Sequence, residues 1–409
     1  MFSKTFTESS RSLGVFAPFL NTELPPCSQV AVGLSMGGGV FCFDPFLLYR
    51  SGYLSNPNIS VMGKVGRGKS AFVKSLLLRS AQYQRSFLVL DPKGEYGDFA
   101  AATAAEVLRI YPGGSERLDP FFGLQAASNC RVEMITALSE IVQAVLRRPL
   151  VATESLALED VVDEELSQRS RPTLEHTLEV ATKLEGSLRY KDEREAVISL
   201  VSALRRILYG DLSGLLGTSE KGRDIGPRAV VDLSQLAGGD LFAVVINLLM
   251  AQRLRSMRAG RIPKGFLVLD EAWAVLENPE SAARFRSLFK LARSYGSSNI
   301  FVTHRLSDLA SKNSNSEVAQ RALSLAVDSE TFVIYGQPPS EIDHVSEFLG
   351  LPTHLARKLP NMSKGVAIWS LAGRIFIVRH VLHPLEVSVV DTDQAMTEGL
   401  FRDPTGLRL

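Results

Sequence analysis

Ile59-Ser60-Val61-Met62-Gly63-Lys64-Val65-Gly66-Arg67-Gly68-Lys69-Ser70-Ala71 decides the reading of this chain. The first four residues are an apolar run of strand type. The next eight complete the pattern G-x-x-x-x-G-K-S, and the residues from Ser70 to Gln82 carry helical spacing. Strand, glycine loop and helix in that order make a phosphate cradle. The glycines let backbone N–H groups converge on phosphate oxygens, and the helix start adds the positive end of its dipole. Lys69 then reaches the terminal phosphates and Ser70 ligates a magnesium ion, so Gly63, Lys64, Val65, Gly66, Arg67, Gly68, Lys69, Ser70 and Ala71 are the expected ATP-binding residues. By average residue usage the bare pattern arises by chance in roughly one or two chains in a hundred of this length, and its strand-then-helix setting makes an ordinary glycine turn rarer still.

Working outward, Phe266-Leu267-Val268-Leu269-Asp270-Glu271 is an apolar strand ending in two carboxylates. With a glycine loop elsewhere in the chain, this pair divides into a magnesium ligand, Asp270, and a general base for the attacking water, Glu271. Alone, such an ending is equally a solvated strand tip or a helix cap. Asp91-Pro92-Lys93-Gly94-Glu95-Tyr96 closes the strand Phe87 to Leu90 that follows the loop helix. Ligands in doubly wound sheets sit at carboxyl strand ends, which places Asp91 among the expected metal ligands and Glu95 among the expected catalytic carboxylates. The plain alternative is a Pro- and Gly-rich turn that merely ends a strand. His304, after the strand Ile300 to Thr303, is expected to sense the γ-phosphate or hold the lytic water; the bland reading is a capping Thr303 beside a satisfied histidine.

The rest of the chain sorts by period. Residues 1–55 form a short β-rich lead-in, with Gly37-Gly38-Gly39 marking a turn. Residues 56–127 alternate strand and helix, the signature of a parallel sheet with crossover helices. Over residues 128–225 the apolar positions fall at helical spacing, from Val132 through Leu146 and then in segments near 153–169, 173–188 and 192–209; an all-α insertion is expected, its last helix closed by Gly210 in a left-handed cap. Residues 226–409 resume the α/β pattern with strands at Ala229–Asp232, Phe266–Leu269, Ile300–Thr303 and Thr331–Tyr335, and end in a hairpin around Ala372-Gly373. The expected fold class is therefore α/β, a RecA-like P-loop NTPase with a mostly parallel sheet, an all-α insertion and a terminal β-hairpin.

Composition bounds the partners. Lys and Arg number 45 against 44 Asp and Glu, which gives no electrostatic case for a polyanionic partner. Arg253, Arg255, Arg258 and Arg261 form the one basic cluster that a ring pore can use, though a solvated helix face is the commoner fate of such a run. Cys27, Cys42 and Cys130 are widely spaced and read as free thiols in a reducing compartment. The N-terminus lacks an apolar signal core, and the apolar stretch Leu241 to Ala251 falls short of the ~20 residues that cross a bilayer, so a cytoplasmic protein without a membrane span is expected. No Asn-Lys-x-Asp guanine-recognition string occurs, which favours an ATP hydrolase over a GTPase.

Taken in order, "VMGKVGRGKS", "VLDPKGEY", "LVLDEAWAVL" and "LARSYGSSNIFVTHR" resemble the VirB-type traffic ATPases of conjugative and type IV secretion systems, within the FtsK and HerA superfamily of RecA-like motors. The resemblance spans roughly residues 33 to 391. It implies a ring, commonly a hexamer, with nucleotide at subunit boundaries and an arginine supplied in trans. Arg293 stands at the family's basic position, with Arg305 as second choice. A helix-end arginine complementing the dipole is the structural alternative for Arg293. It further implies docking on a membrane secretion or conjugation complex at the inner face of the cell membrane, with DNA as a further candidate partner. The sequence departs from the family at His304, where a glutamine is usual, and in the short segment before the glycine loop, so that either another chain is expected to supply docking, or this is a motor fragment or a relative with a different assembly. The implied function is ATP hydrolysis that powers assembly of, or transport through, such an apparatus. The alternatives are a DNA-translocating ATPase and a weakly hydrolysing ATP-binding regulator.

Overall fold

The computed structural model describes residues 24–25, 30–124, 129–217, 225–236, 241–270, 286–287, 289–304 and 329–390. Their strands form one 11-stranded sheet in the order β2-β1-β11-β10-β9-β3-β8-β7-β4-β6-β5. The strands are β1 (Ala31–Ser35), β2 (Val40–Cys42), β3 (Ile59–Met62), β4 (Ser86–Asp91), β5 (Glu106–Arg109), β6 (Arg228–Asp232), β7 (Gly265–Leu269), β8 (Ser297–Thr303), β9 (Thr331–Ile334), β10 (Val366–Leu371) and β11 (Arg374–His380). From β9 to β5 every neighbouring pair is parallel. From β9 outward through β10, β11, β1 and β2 every pair is antiparallel.

The parallel strands are apolar because helices cover both faces. Alternation along each strand sends side chains to opposite sides. Leu88 and Leu90 of β4 and Leu267 and Leu269 of β7 enter one core, while Phe87, Val89, Phe266 and Val268 enter the other. The first core is shared with the helices α4 (Cys130–Leu146), α5 (Ala152–Gln168), α6 (Leu174–Ser187), α7 (Lys191–Tyr209) and α8 (Phe242–Arg258); the second is shared with α2 (Lys69–Ala81) and α3 (Gly97–Thr103), which follow α1 (Pro45–Arg50). Four helices, α4 to α7, thus stand between β5 and β6 as an all-α insertion. The terminal hairpin β10-β11 turns on Ala372 (φ 49) and Gly373 (φ 76), the two left-handed positions of a type I′ turn. The same hairpin carries β1 and β2 into the main sheet through the β1-β11 pairing.

Two sequence expectations change here. Gly210 does not adopt a left-handed cap: it is extended (φ −99, ψ −151). Its hydrogen atom is needed because an added Cβ would lie 2.8 Å from Arg206 Cα. Cys42 is disulfide-bonded, not a free thiol, while Cys130 is free. Spacing rules that look for metal motifs do not register a single bridge, and the compositional argument for a reducing compartment is withdrawn. No helix among the described residues is long and apolar enough to cross a membrane.

Candidate nucleotide site

Because β3, β8, β7 and β4 are adjacent and parallel, their carboxyl ends share one edge of the sheet. That edge receives Gly63 after β3, His304 after β8, Asp270 after β7 and Asp91 at the end of β4. The glycine loop and the carboxylate strand therefore lie on the same side, separated by a single strand.

The loop backbone needs its glycines. Gly66 (φ 73) and Gly68 (φ 103) are left-handed, and Gly63 lies where an added Cβ would be 2.5 Å from Tyr335 Cβ. At Gly66 an added Cβ would meet nothing within 4 Å, so open space lies beside the loop there. Helix α2 starts at Lys69 with Gly68 as its cap and no side-chain capping bond, which leaves its first amides to an anion. The loop is braced from the C-terminal part of the chain: Arg67 Nη1 donates to Met362 O at 3.1 Å, Gly365 N donates to Arg67 O at 3.1 Å, and Lys64 N donates to Gly336 O at 3.0 Å.

Lys69 is buried and folds back on the loop. Its Nζ donates to Gly63 O (2.6 Å) and Lys64 O (3.2 Å) and lies 3.0 Å from His304 Nδ1. The other ring nitrogen, Nε2, lies 3.4 Å from Lys93 Nζ. A neutral imidazole accepts at one nitrogen only, so it cannot serve both ammonium groups. Two cations flanking one ring beside an open glycine loop fit a phosphate group. The residues present also fit magnesium: Asp270, buried at the strand tip, belongs to the edge that carries Ser70, and Ser70 is in the first turn of α2.

Asp91 has another duty. Its Oδ1 accepts from Lys93 N (3.2 Å) and Gly94 N (2.9 Å), and its Oδ2 accepts from Tyr96 N (3.0 Å). Burial pushes its carboxyl above the usual range, and those backbone donors pull it partly back. A carboxylate committed to three amides of its own turn shapes the turn, which leaves Asp270 as the better-placed metal ligand. Glu95 presents its carbonyl to Lys74 Nζ at 2.7 Å and is itself exposed. Glu271 and Arg305 lie outside the described residues. Arg293 is exposed in a short 3₁₀ turn before β8, with Nη1 3.2 Å from Ser55 O. That is the amino edge of the sheet, so within one chain Arg293 does not meet the glycine loop.

The sequence reading missed three residues that complete this edge. Lys74, one turn beyond Ser70, is buried with its Nζ 4.7 Å from the Tyr96 ring centroid. Desolvation lowers its pKa, opposed by Glu95, Asp91 and Asp270. Tyr96 Oη reaches Asp270 Oδ2 at 3.5 Å, and burial holds the phenol far above its ordinary range. Gln337 donates from Nε2 to His304 O at 3.3 Å. Only Tyr96 stood inside a motif; the other two resemble any helix lysine and any loop glutamine.

The arginine cluster at the end of α8 divides into buried and exposed members. Arg253 is buried and donates to Gly226 O and Pro227 O at 2.9 and 3.0 Å. Arg255 pairs with Glu133 at 2.9 Å, Arg258 lies over the Tyr295 ring, and Arg261 lies over the Phe122 ring. Arg253 is thus sealed into a helix covered on nearly all sides, while Arg258 and Arg261 remain exposed, so the solvated face is limited to those two.

A parallel sheet, a glycine loop opening into a helix and an acidic strand tip on the same edge define a RecA-like P-loop nucleotide-binding fold. Residues 54–249 match the family described as Helicase HerA, central domain (DUF87). Among solved structures it is similar to VirB4 of Thermoanaerobacter pseudethanolicus (TM-score 0.74, 20% identity, covering 89% of this chain and 99% of that one). It is also similar to the bacterial conjugative coupling protein TrwBΔN70 (TM-score 0.57, 14% identity, 93% and 94% covered) and to TrwB solved with ADP and Mg²⁺ (TM-score 0.53, 14% identity, 80% and 85% covered). No curated protein sequence matches the chain.

Proposed function

We propose that this protein is a magnesium-dependent ATP hydrolase that energises assembly of, or transport through, a conjugation or type IV secretion apparatus. The observation that carries the reading is the meeting of Lys69 and His304 at 3.0 Å on the edge that also bears Asp270. On binding, phosphate oxygens replace the loop carbonyls around Lys69, and the open helix start takes the neighbouring phosphate. Ser70 and Asp270 would hold magnesium, which would supply neutralising charge at the terminal phosphates. Glu271, next along from Asp270, takes a proton from the attacking water. His304 marks where the γ-phosphate lies.

Arg293, on the amino edge, has no route to its own loop and acts on a neighbouring subunit of a ring, where a guanidinium typically contributes roughly 10³ to 10⁵ in rate. The ring is a hexamer that docks at the inner face of the membrane through partner chains. The HerA-type domain supports a second reading, a DNA-translocating ATPase. Steady-state phosphate release with and without duplex DNA separates them. DNA-independent turnover supports the secretion reading, strong DNA stimulation supports translocation, and no turnover at ring-forming concentration removes the hydrolase reading in favour of a regulator.

A further inference from the structure

The end of β9 carries a side chain that no step of the proposed reaction uses. β9 flanks β3 on the side away from β8, and its exit, Tyr335-Gly336-Gln337, runs beside the entry to the glycine loop. Tyr335 N donates to Met62 O at 2.8 Å and Lys64 N donates to Gly336 O at 3.0 Å, so Gln337 is anchored to the first residues of the loop. From there its side chain reaches past β3 to the end of β8, where Nε2 donates to His304 O at 3.3 Å.

The side chain is fully buried (0% exposed), and among the described residues no donor reaches its Oε1. A buried amide oxygen without a partner is destabilising, and an apolar side chain would avoid that cost if packing were its only role. The unmet acceptor therefore points to a hydrogen-bond donor that arrives with the substrate. The neighbouring chemistry says which one. His304, whose carbonyl this amide holds, directs Nδ1 at Lys69, the residue that contacts the terminal phosphates. A donor entering next to it during hydrolysis is the attacking water.

We propose that Gln337 is the positioning residue of the phosphate end of this site: its N–H fixes His304 against Lys69, and its amide oxygen accepts one O–H of the lytic water. The inference rests on the hydrolase reading. The water oxygen attacks the γ-phosphorus, the bond to the β,γ-bridging oxygen breaks with its electron pair leaving on ADP, and the second water proton passes to Glu271. Gln337 transfers nothing; it orients the nucleophile, supplying from β9 the amide that the tip of β8 lacks.

The test measures nucleotide affinity and single-turnover hydrolysis for wild type, Gln337→Met and the double variant Gln337→Met/His304→Gln. Expected for Gln337→Met is an unchanged melting temperature, nucleotide Kd within about threefold, and a turnover rate lowered about 10- to 100-fold, the effect of losing one preorganised hydrogen bond. The double variant restores an amide to the β8 tip and is expected to recover at least about tenfold of that loss. Should Gln337→Met fail to fold, Gln337→Asn withdraws the amide by one methylene and carries the same expectation. Turnover within twofold of wild type, a parallel loss of affinity and rate, or no recovery in the double variant would each overturn the assignment. A wild-type protein that binds ATP but never releases phosphate defeats the hydrolase reading instead, and so is told apart from a failure of Gln337 alone.

Discussion

Lys69 and His304 stand 235 residues apart in sequence, yet the ammonium of one meets the imidazole of the other at 3.0 Å. The contact exists because β3 and β8 pair in parallel with Met62 opposite Thr303, which brings the residues after both strands to the same point. The ammonium is buried against two carbonyls and a ring nitrogen, the partners that phosphate oxygens would replace.

Removing that cation separates binding from folding. Lys69→Met is expected to weaken ATP binding about 100-fold, as the loss of a charge-assisted contact of about 2.7 kcal/mol implies. Its melting temperature should stay within a few degrees, because the lost polar contacts lie at the loop and the His304 ring, on the edge of the sheet rather than in its core. Titration with a fluorescent nucleotide checks this. Binding within threefold of wild type would place the nucleotide somewhere other than this loop.

Arg293 lies on the edge of the sheet away from its own loop, so its contribution must cross a subunit boundary. Arg293→Ala and Lys69→Ala proteins, each inactive alone, should regain part of the phosphate release when mixed, since some interfaces then pair an intact loop with an intact arginine. Mixed rings verified by mass spectrometry that show no recovery would reduce Arg293 to a local partner of Ser55.

Acid sensitivity should trace to His380. Trp369 Nε1 donates to its Nε2 at 3.0 Å, Tyr335 Oη bonds its Nδ1, and Phe72 stacks on it at 4.6 Å. Burial, with a smaller contribution from Arg79, pushes its pKa down to about 3. The unfolded histidine takes up a proton near pH 6.5 and the folded one does not until about pH 3, so stability is complete above pH 6.5 and falls as pH drops through that window. Between pH 7 and pH 5 this residue alone should cost about 2 kcal/mol. Urea melts of His380→Phe should show a correspondingly flatter acid limb. An unchanged limb would mean that carboxylates carry the acid sensitivity.

Where local chemistry and long-range pairing agree, the sequence was enough. The glycine loop, the helix from Lys69 and the β7 tip at Asp270 each announce themselves by residue type, and the parallel sheet needs them on one edge. Elsewhere tertiary partners decided. β8 begins at Ser297, three residues earlier than its apolar run, because Ser298 Oγ donates to Pro57 O, Asn299 N donates to Asn58 Oδ1 and Asn299 Nδ2 donates to Phe289 O. Polar residues satisfied by distant loops look like turn residues to any periodicity argument. Lys74 and Gln337 stayed hidden for the same reason: their roles come from the elements packed against them. Asp91 ends β4, as its strand pattern indicates, but its use by three local amides depends on a turn geometry that residue types alone do not specify. Arg253 looked solvated because helix periodicity cannot reveal that its face of α8 packs against the loop at Gly226 and Pro227.

The central claim is that the glycine loop and the β7 tip share one metal–nucleotide complex, and manganese, a paramagnetic stand-in for magnesium, tests it directly. Electron paramagnetic resonance titration of the protein with Mn²⁺ and a non-hydrolysable ATP analogue should show one tightly held ion per chain that requires nucleotide. That signal should weaken at least tenfold in both Asp270→Asn and Ser70→Ala. Nucleotide-dependent Mn²⁺ binding that survives intact in both variants would contradict the account, because the ion would then be held without either of the residues this edge provides.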